Sequence, residues 1–237
     1  MPVVKVRWIS LLLFVAGLGL SCSADIPSPA PESSNSEPLT LGLPKPSFDG
    51  DMALEQALIR RRSVREYAAG PLKLEDVSQL LWAAQGLTAE WGGRTAPSAG
   101  GLYPLEVLLV AGEVENLSSG VYRYDPRAHA LVRIRDGDVR EQLSDTSLDQ
   151  SWVQQASINI IITGVYERTI GKYGDRGVRY VDMEAGHAAQ NICLQATALN
   201  LGTVTIGAFQ DAYVKNLLRI SQNETPLYVI PVGKLQE

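Results

Sequence analysis

The chain has few of the residues that build disulfides, metal sites and nucleophilic triads. Its 237 residues include two cysteines and two histidines, and they show neither metal-ligand spacing nor a nucleophile elbow. Cys22 lies in the N-terminal segment, so the rest of the chain keeps a single thiol, Cys193, and cannot form a disulfide. Cys193 falls within a helical apolar pattern, which predicts a buried, unreactive thiol. The sequence therefore excludes a disulfide scaffold and predicts no metal site.

An excess of positive charge is also absent. The formal net charge is -5 and the isoelectric point is near 5.2. A nucleic-acid-binding face requires clustered lysine and arginine, so we expect no nucleic-acid partner. Hydrophobic residues make up 45% of the chain, which is enough for one globular domain with a substantial core.

Long apolar runs are missing except at the N-terminus. The run from Trp8 to Leu20 is shorter than the roughly 20 residues that span a bilayer. Together with the basic residues that precede it, this run is typical of a signal peptide. The next residues, Gly19-Leu20-Ser21-Cys22, resemble a bacterial lipobox, which would place a diacylglyceryl group on Cys22. Ordinary signal-peptidase cleavage after Ala24 is the alternative. We expect a signal peptide over residues 1–21 and an exported protein, either a membrane-anchored lipoprotein or a periplasmic one.

Residues 22–50 are rich in proline, serine, asparagine and glutamate and poor in apolar side chains. Such a segment cannot bury enough surface to offset the entropy of ordering it. The composition predicts a flexible tether, so that the membrane would be reached only through the lipid on Cys22. The folded domain is then expected over residues 52–237.

Helical and strand patterns follow one another through this domain. Helices are predicted at 52–62, 74–87, 139–143, 152–156, 180–200 and 212–220. Strands are predicted at 105–111, 120–124, 130–135, 158–163, 203–206 and 227–232. Gly202 is expected to end the long helix in a left-handed conformation. This order predicts an α+β sandwich with a mostly antiparallel sheet and helices around it.

Two segments point to a cofactor. Arg61-Arg62-Ser63-Val64-Arg65 concentrates three guanidinium groups and a hydroxyl, and these groups match phosphate oxygens. The loop Pro97-Ser98-Ala99-Gly100-Gly101-Leu102-Tyr103-Pro104 has the glycines and prolines of a backbone that turns sharply and approaches a ligand closely. Together they predict a site for a flat, phosphorylated cofactor. The alternative is that the arginines are solvated and complement the end of a helix dipole.

Four segments, at 61–65, 97–104, 184–191 and 205–209, resemble the FMN-dependent nitroreductase superfamily. Within it, they are similar to the SagB-type (thiazole/oxazole, azoline) dehydrogenase branch. The resemblance extends over about residues 52–233. It implies an α+β, nitroreductase-like three-layer sandwich with a central, mostly antiparallel sheet. It also implies a homodimer that holds FMN at the subunit interface.

The resemblance further implies which residues hold the phosphate. Arg61, Ser63 and Arg65 match the family's arginine-x-serine-x-basic pattern and should bind the FMN phosphate and the polar edge of the flavin. Many relatives add basic residues after the final strand, and here Lys234 is the residue that could serve.

Other residues should face the ring by the same resemblance. Pro97-Ser98-Ala99 should line it, and Gly101 stands where most nitroreductases have an asparagine, so that contact there would come from the backbone. Gly207 and Ala208 fall where backbone N–H groups face flavin N5 and O4. Such donors would stabilise the negative charge of the reduced flavin.

Azoline oxidases of this branch carry a lysine–tyrosine pair before the long helix, and Lys172 and Tyr173 occupy the matching position. Removing two hydrogens from a ring requires a base for the proton while the flavin takes the hydride. The resemblance therefore implies a catalytic role for the pair. The alternative is that both residues belong to a solvated, charged stretch.

The resemblance implies an FMN-dependent oxidoreductase that transfers hydride between flavin N5 and a small organic or heterocyclic substrate. Because NAD(P)H is scarce outside the cytoplasm, an exported member would pass electrons to oxygen or a quinone, or oxidise its own substrate. A non-catalytic lipoprotein that binds a flavin or another small ligand is the alternative. That alternative is favoured by two features: glycine replaces the family's asparagine at position 101, and basic residues are sparse after the final strand.

Overall fold

The computed structural model describes residues 39–236 of the chain. The predicted signal peptide, Cys22 and residues 23–38 of the predicted tether lie outside the described residues. Among the described residues, no helix combines the length and apolar character needed to cross a membrane.

A seven-stranded sheet forms the centre of the fold, and all its neighbouring strands are antiparallel. The strands are β1 (Thr40–Gly42), β2 (Leu105–Ala111), β3 (Gly120–Asp125), β4 (Ala130–Asp136), β5 (Ile158–Gly164), β6 (Leu201–Thr203) and β7 (Thr225–Lys234). Their order across the sheet is β1-β4-β3-β2-β5-β7-β6. The continuous apolar runs of β2 and β5 explain their central position, because a strand covered on both faces has no polar side.

Helices cover both faces of the sheet. They are α1 (Leu54–Arg60), α2 (Leu74–Gln85), α3 (Arg140–Thr146), α4 (Ser151–Gln155), α5 (Glu167–Tyr173), α6 (Arg176–Ala198) and α7 (Asp211–Leu218). Along β2, Val107 and Leu109 join the core beneath α2 and α6. Leu108 and Val110 point the other way and join the core beneath α3, α4 and α7. This alternation builds the three-layer sandwich that the family resemblance implied.

The tether prediction is wrong for its last part. Residues 40–42 form β1, which pairs with β4 from Thr40↔Val132 to Gly42↔Ala130. Beyond the strand, the Ser78 hydroxyl donates to the Pro44 carbonyl at 2.6 Å, and Ser47 N donates to the Gln79 side chain at 2.9 Å. Pairing with β4, whose outer side β1 covers, supplies the hydrogen bonds that local composition does not predict.

Two local predictions at the end of α6 also require correction. The left-handed residue there is Asn200, at φ 56, whereas Gly202 lies within β6. A Cβ on Gly202 would come 2.7 Å from the Val64 side chain, so this glycine is required for close packing. The strand predicted at 203–206 is observed at Leu201–Thr203, and Ile206 forms an isolated bridge with Val229.

Candidate functional site

The arginine segment lies along the edge of the sheet formed by β6. Arg61 caps α1, and its N–H donates to the Ala57 carbonyl at 2.9 Å. Ser63 then bridges Thr203 in parallel, and Val64 N donates to the Thr203 carbonyl at 3.0 Å. Because side chains alternate along extended backbone, Arg61, Ser63 and Arg65 share one side of this segment.

The side chain of Arg62 donates hydrogen bonds to the backbone at the end of α1. Its Nη1 atom donates to the carbonyls of Ile59 at 2.7 Å and Arg61 at 2.8 Å. The guanidinium group of Arg62 therefore closes the end of α1. Arg62 is not one of the predicted phosphate residues.

The predicted phosphate residues carry cations that the fold does not neutralise. Within residues 39–236, Arg61, Arg65 and Lys234 form no ion pair. Arg65 lies 5.8 Å from the centroid of the Trp152 ring. Lys234 ends β7 and pairs with Ala68, which brings it to the same end of the sheet. These groups can accept an anion with several oxygens.

The glycine loop turns through a short 3₁₀ segment, Ala99–Gly101. Gly100 and Gly101 have φ values of 64 and 65, and Tyr103 has φ 46. Ser98 stabilises the turn, because its Oγ accepts a hydrogen bond from Tyr103 N at 2.8 Å. The left-handed backbone explains why two glycines occur here. Pro97 and Gly101 are exposed, and Ser98 and Ala99 are half-buried.

Lys172 and Tyr173 lie over this loop. A Cβ atom on Gly100 would be 2.7 Å from Tyr173 Oη and 2.8 Å from Lys172 Nζ. The Tyr173 ring packs edge-on against Tyr180, with centroids 5.2 Å apart. The structure thus brings the lysine–tyrosine pair to the glycine loop, and it shows that Gly100 leaves room for their tips. Their catalytic role stays a prediction.

An ion-pair network, which the sequence analysis missed, fastens α5 to the sheet. Arg168 of α5 pairs with Glu106 of β2 and donates to the Tyr103 carbonyl at 3.2 Å. Glu106 also lies 3.5 Å from Arg123, which binds Glu224 through two hydrogen bonds of 2.9 and 3.1 Å. These charges are far apart in the sequence, so no local pattern could have joined them. The network holds the helix that carries Lys172 and Tyr173.

Gly207 and Ala208 follow the bridge between Ile206 and Val229 and are exposed. The Ala208 carbonyl accepts a hydrogen bond from Gln150 Nε2 at 2.9 Å. Within the described part of the chain, neither N–H group donates a hydrogen bond. A Cβ on Gly207 would meet no atom within 4 Å. Their backbone is therefore open to a ligand that accepts hydrogen bonds.

Glu184 is a further residue of this region to which sequence reasoning gave no role. It lies on α6 and is only 2% exposed. Burial raises the pKa of its carboxyl to about 7, while Ser98, Arg94 and Gln85 oppose the shift. Its Oε1 atom has no hydrogen-bond partner among residues 39–236. The one feature of the sequence that could have identified Glu184 is its position, beside Ala185, on the apolar side of a predicted helix.

The predicted residues form two groups at opposite ends of the strands. The glycine loop precedes Leu105, which pairs with Gly164. The arginine segment pairs with Thr203, whose partner Val232 pairs with Ile158 at the other end of β5. Seven-residue strands at about 3.4 Å per residue separate these ends by roughly 20 Å. One copy of the chain therefore presents its cationic group and its glycine loop apart from each other.

The burial prediction for Cys193 is confirmed. The thiol is 6% exposed and free of a disulfide, and burial raises its pKa while the nearby Arg61 charge opposes this. Among the described residues, no cluster of three metal-ligating side chains is present.

Comparison with known proteins gives consistent results. The nitroreductase family model matches residues 58–234. A nitroreductase-family protein of Methanocaldococcus jannaschii is 48% identical over 184 residues, which are 78% of this chain and 92% of that protein. The microcin B17-processing protein McbC of Escherichia coli is 30% identical over 150 residues, 61% of this chain and 55% of McbC.

A solved structure of a nitroreductase-like protein from Ralstonia eutropha has a TM-score of 0.73 and 28% identity, covering 84% of this chain and 90% of that one. The likeness to McbC supports the SagB-like branch of the superfamily, as the sequence predicted. The chain spans little more than half of McbC, so McbC's activity is a property of that protein.

Proposed function

Because this chain belongs to the nitroreductase family, whose members generally bind a flavin, we propose that it is an FMN-dependent dehydrogenase or oxidase of the SagB type. Its substrate would be a small organic or heterocyclic compound. The observation that carries the proposal is the convergence of Lys172 and Tyr173 on Gly100. Two groups able to exchange a proton meet there at the loop assigned to the cofactor.

The residues present fit FMN. Arg61, Arg65 and Lys234 provide cations without ion-pair partners in residues 39–236, and Ser63 adds a hydroxyl for the phosphate. Gly207 and Ala208 offer open N–H groups for a polar ring edge. When bound, FMN would accept a hydride from the substrate or return one to it.

Lys172 or Tyr173 would accept the second hydrogen of the substrate, which leaves as a proton. Dehydrogenation removes two hydrogens, and when one leaves with its electron pair the other leaves as a proton. Lys172 Nζ or Tyr173 Oη would take that proton, and the network through Arg168 holds their helix in place. General-base catalysis of this kind contributes about 10²–10⁴-fold to rate.

A homodimer would complete the site. The cationic group and the glycine loop lie at opposite ends of the strands within one copy. A second copy could place its glycine loop beside the first copy's arginine segment. Exposed apolar side chains on α1 support such an interface, with Leu54, Leu58 and Ile59 at 61%, 52% and 64% exposure.

We also propose that the protein is exported and that a lipid on Cys22 anchors it. The N-terminal sequence pattern supports this placement. The electron acceptor would then be oxygen or a quinone, since NAD(P)H is scarce outside the cytoplasm. A membrane fraction that retains the wild-type chain but not the Cys22→Ala variant would support the anchor.

The test uses the purified full-length chain. We expect it to bind FMN, and we expect anaerobic bleaching of the flavin by an azoline-containing peptide. Lys172→Ala and Tyr173→Phe should slow bleaching about 10²–10⁴-fold without weakening FMN binding. Lys73→Ala and Tyr213→Phe are matched controls, because both residues are exposed on other elements.

A chain that binds no FMN would overturn the proposal. A chain that binds FMN but is never reduced by substrate would favour the binding lipoprotein. If Lys172→Ala and Tyr173→Phe react at the wild-type rate, the pair has no catalytic role.

A further inference from the structure

We propose that Glu184 is a positioning residue whose ionised carboxylate holds the glycine loop in the conformation that receives the flavin. The inference rests on the proposed flavin site. It concerns a residue that lies on α6, beneath the loop.

One hydroxyl lies where the turn meets α6. Ser98 and Glu184 line the same small cavity, and Ser98 Oγ accepts the hydrogen bond from Tyr103 N at 2.8 Å. Ser98 can therefore accept from the loop with its oxygen and donate its own hydroxyl proton to Glu184. A carboxylate is the stronger acceptor in such a pair, because hydrogen bonds to charged groups are stronger than neutral ones.

The surroundings of Glu184 are polar but incompletely satisfied. Arg94 Nη1 donates to Gln85 Oε1 at 2.9 Å, and the guanidinium lies 4.5 Å from the centroid of the Tyr103 ring. Arg94 Nε, Gln85 Nε2 and Glu184 Oε1 are buried without hydrogen-bond partners in residues 39–236. Buried polar groups in this state are rare and call for an explanation. A role in holding the loop supplies one.

A small cavity opens beside the carboxyl. It measures about 250 Å³ and is lined by Pro97-Ser98-Ala99 from the loop and by Tyr180, Met183, Glu184 and His187 from α6. The charged and titratable groups near Glu184 are Arg94, from the segment after α2, and Tyr180 and His187 on its own helix. Arg94 is the one whose charge opposes the rise in the Glu184 pKa.

The proposal fixes the direction of a pH effect. Below the pKa of Glu184, near 7, the carboxyl is neutral and binds the Ser98 hydroxyl weakly. Above it, the carboxylate holds Ser98 and thereby the turn. Flavin affinity should therefore rise as the pH rises through this range. FMN itself also titrates, since its phosphate has a second pKa near 6, so riboflavin is the cleaner probe.

The experiment titrates the full-length apoprotein with riboflavin and with FMN between about pH 5.5 and pH 8.5. Wild type should bind riboflavin about tenfold more tightly at the upper end, the size expected for one hydrogen bond to a charged group. Glu184→Gln should bind with no pH dependence. Glu167→Gln, which removes an exposed carboxyl from α5, should behave as wild type.

Ser98→Ala provides a second variant in case Glu184→Gln does not fold. It keeps the carboxyl but removes the link, so it should bind more weakly at high pH and lose the pH dependence. A wild-type protein that binds flavin equally at all pH values, or a Glu184→Gln variant that keeps the wild-type profile, would overturn this inference alone. Absence of flavin binding at every pH would overturn the proposed function as well.

Discussion

Replacing Glu184 with glutamine should stabilise the apoprotein at alkaline pH. The carboxyl is 2% exposed, and its pKa is raised from 4.5 to about 7. A native pKa above the unfolded one means that the native state binds the proton more tightly. The unfolded state therefore binds fewer protons between these values, and stability falls as the pH rises through them.

The magnitude follows from the size of the shift. At 1.36 kcal/mol per pKa unit, a rise from 4.5 to about 7 corresponds to ~3 kcal/mol when Glu184 is fully ionised. Glutamine has nearly the same shape and carries no charge, so it avoids this cost. Near pH 5 the unfolding free energies of Glu184→Gln and wild type should thus differ little. Near pH 8.5 the variant should be more stable than wild type by about 2–3 kcal/mol.

Chemical or thermal unfolding of the apoprotein at both pH values measures this. For a domain of this size the gain corresponds to a Tm increase on the order of 5–10 °C at the alkaline end. Glu167→Gln is the control, since that carboxyl is exposed and should give no pH-dependent difference. Equal effects of Glu184→Gln at both pH values, or destabilisation at the alkaline one, would refute the reasoning.

Three further outcomes test the site. Arg61→Ala should weaken FMN binding by about 1.5–3 kcal/mol and leave riboflavin binding unchanged, whereas Arg62→Ala should affect neither, as isothermal titration will show. Gly100→Ala and Gly101→Ala should each lower the unfolding free energy by about 1–2 kcal/mol. Only Gly100→Ala should change the acylation of Lys172 measured by mass spectrometry, because only the Cβ at position 100 meets that side chain. Leu58→Glu should abolish the proposed dimer and FMN binding together, by analytical ultracentrifugation and flavin absorbance.

The elements with strong periodicity could be predicted from the sequence. The strand at 105–111 matches β2, and the hairpin predicted from 120–124 and 130–135 matches β3 and β4. The long helix is longer than predicted, at Arg176–Ala198. These segments carry enough apolar side chains to decide their own structure, because each buries a continuous face.

Elements decided by partners elsewhere in the chain could not be predicted. Residues 40–42 become a strand because β4 offers an open edge. The helix α5 was missed because its charged residues suggest a solvated stretch, and its Arg168 is held instead by Glu106. Sequence spacing shows neither contact, because each depends on residues more than 60 positions away.

The candidate site shows the same limit on a larger scale. The motifs predict which side chains belong to the proposed flavin site, but their order does not show that they occupy opposite ends of the strands. That separation follows from register, through the pairs Leu105↔Gly164 and Ile158↔Val232. Residues that look like one site in the sequence therefore lie in two separate groups in the fold, which the proposed homodimer would bring together.

The helix α6 reaches both groups of residues. Glu184 lies beneath the glycine loop, and Cys193, nine residues later, lies beside Arg61. At 1.5 Å per residue these positions are about 14 Å apart. Between them the helix uses small residues such as Ala185 and Ala188 against the sheet, so that it packs closely enough to bury a carboxyl at one end and a thiol at the other. Because the two positions are about 14 Å apart on one helix, we expect Glu184→Gln to change the glycine loop and to leave the arginine segment undisturbed.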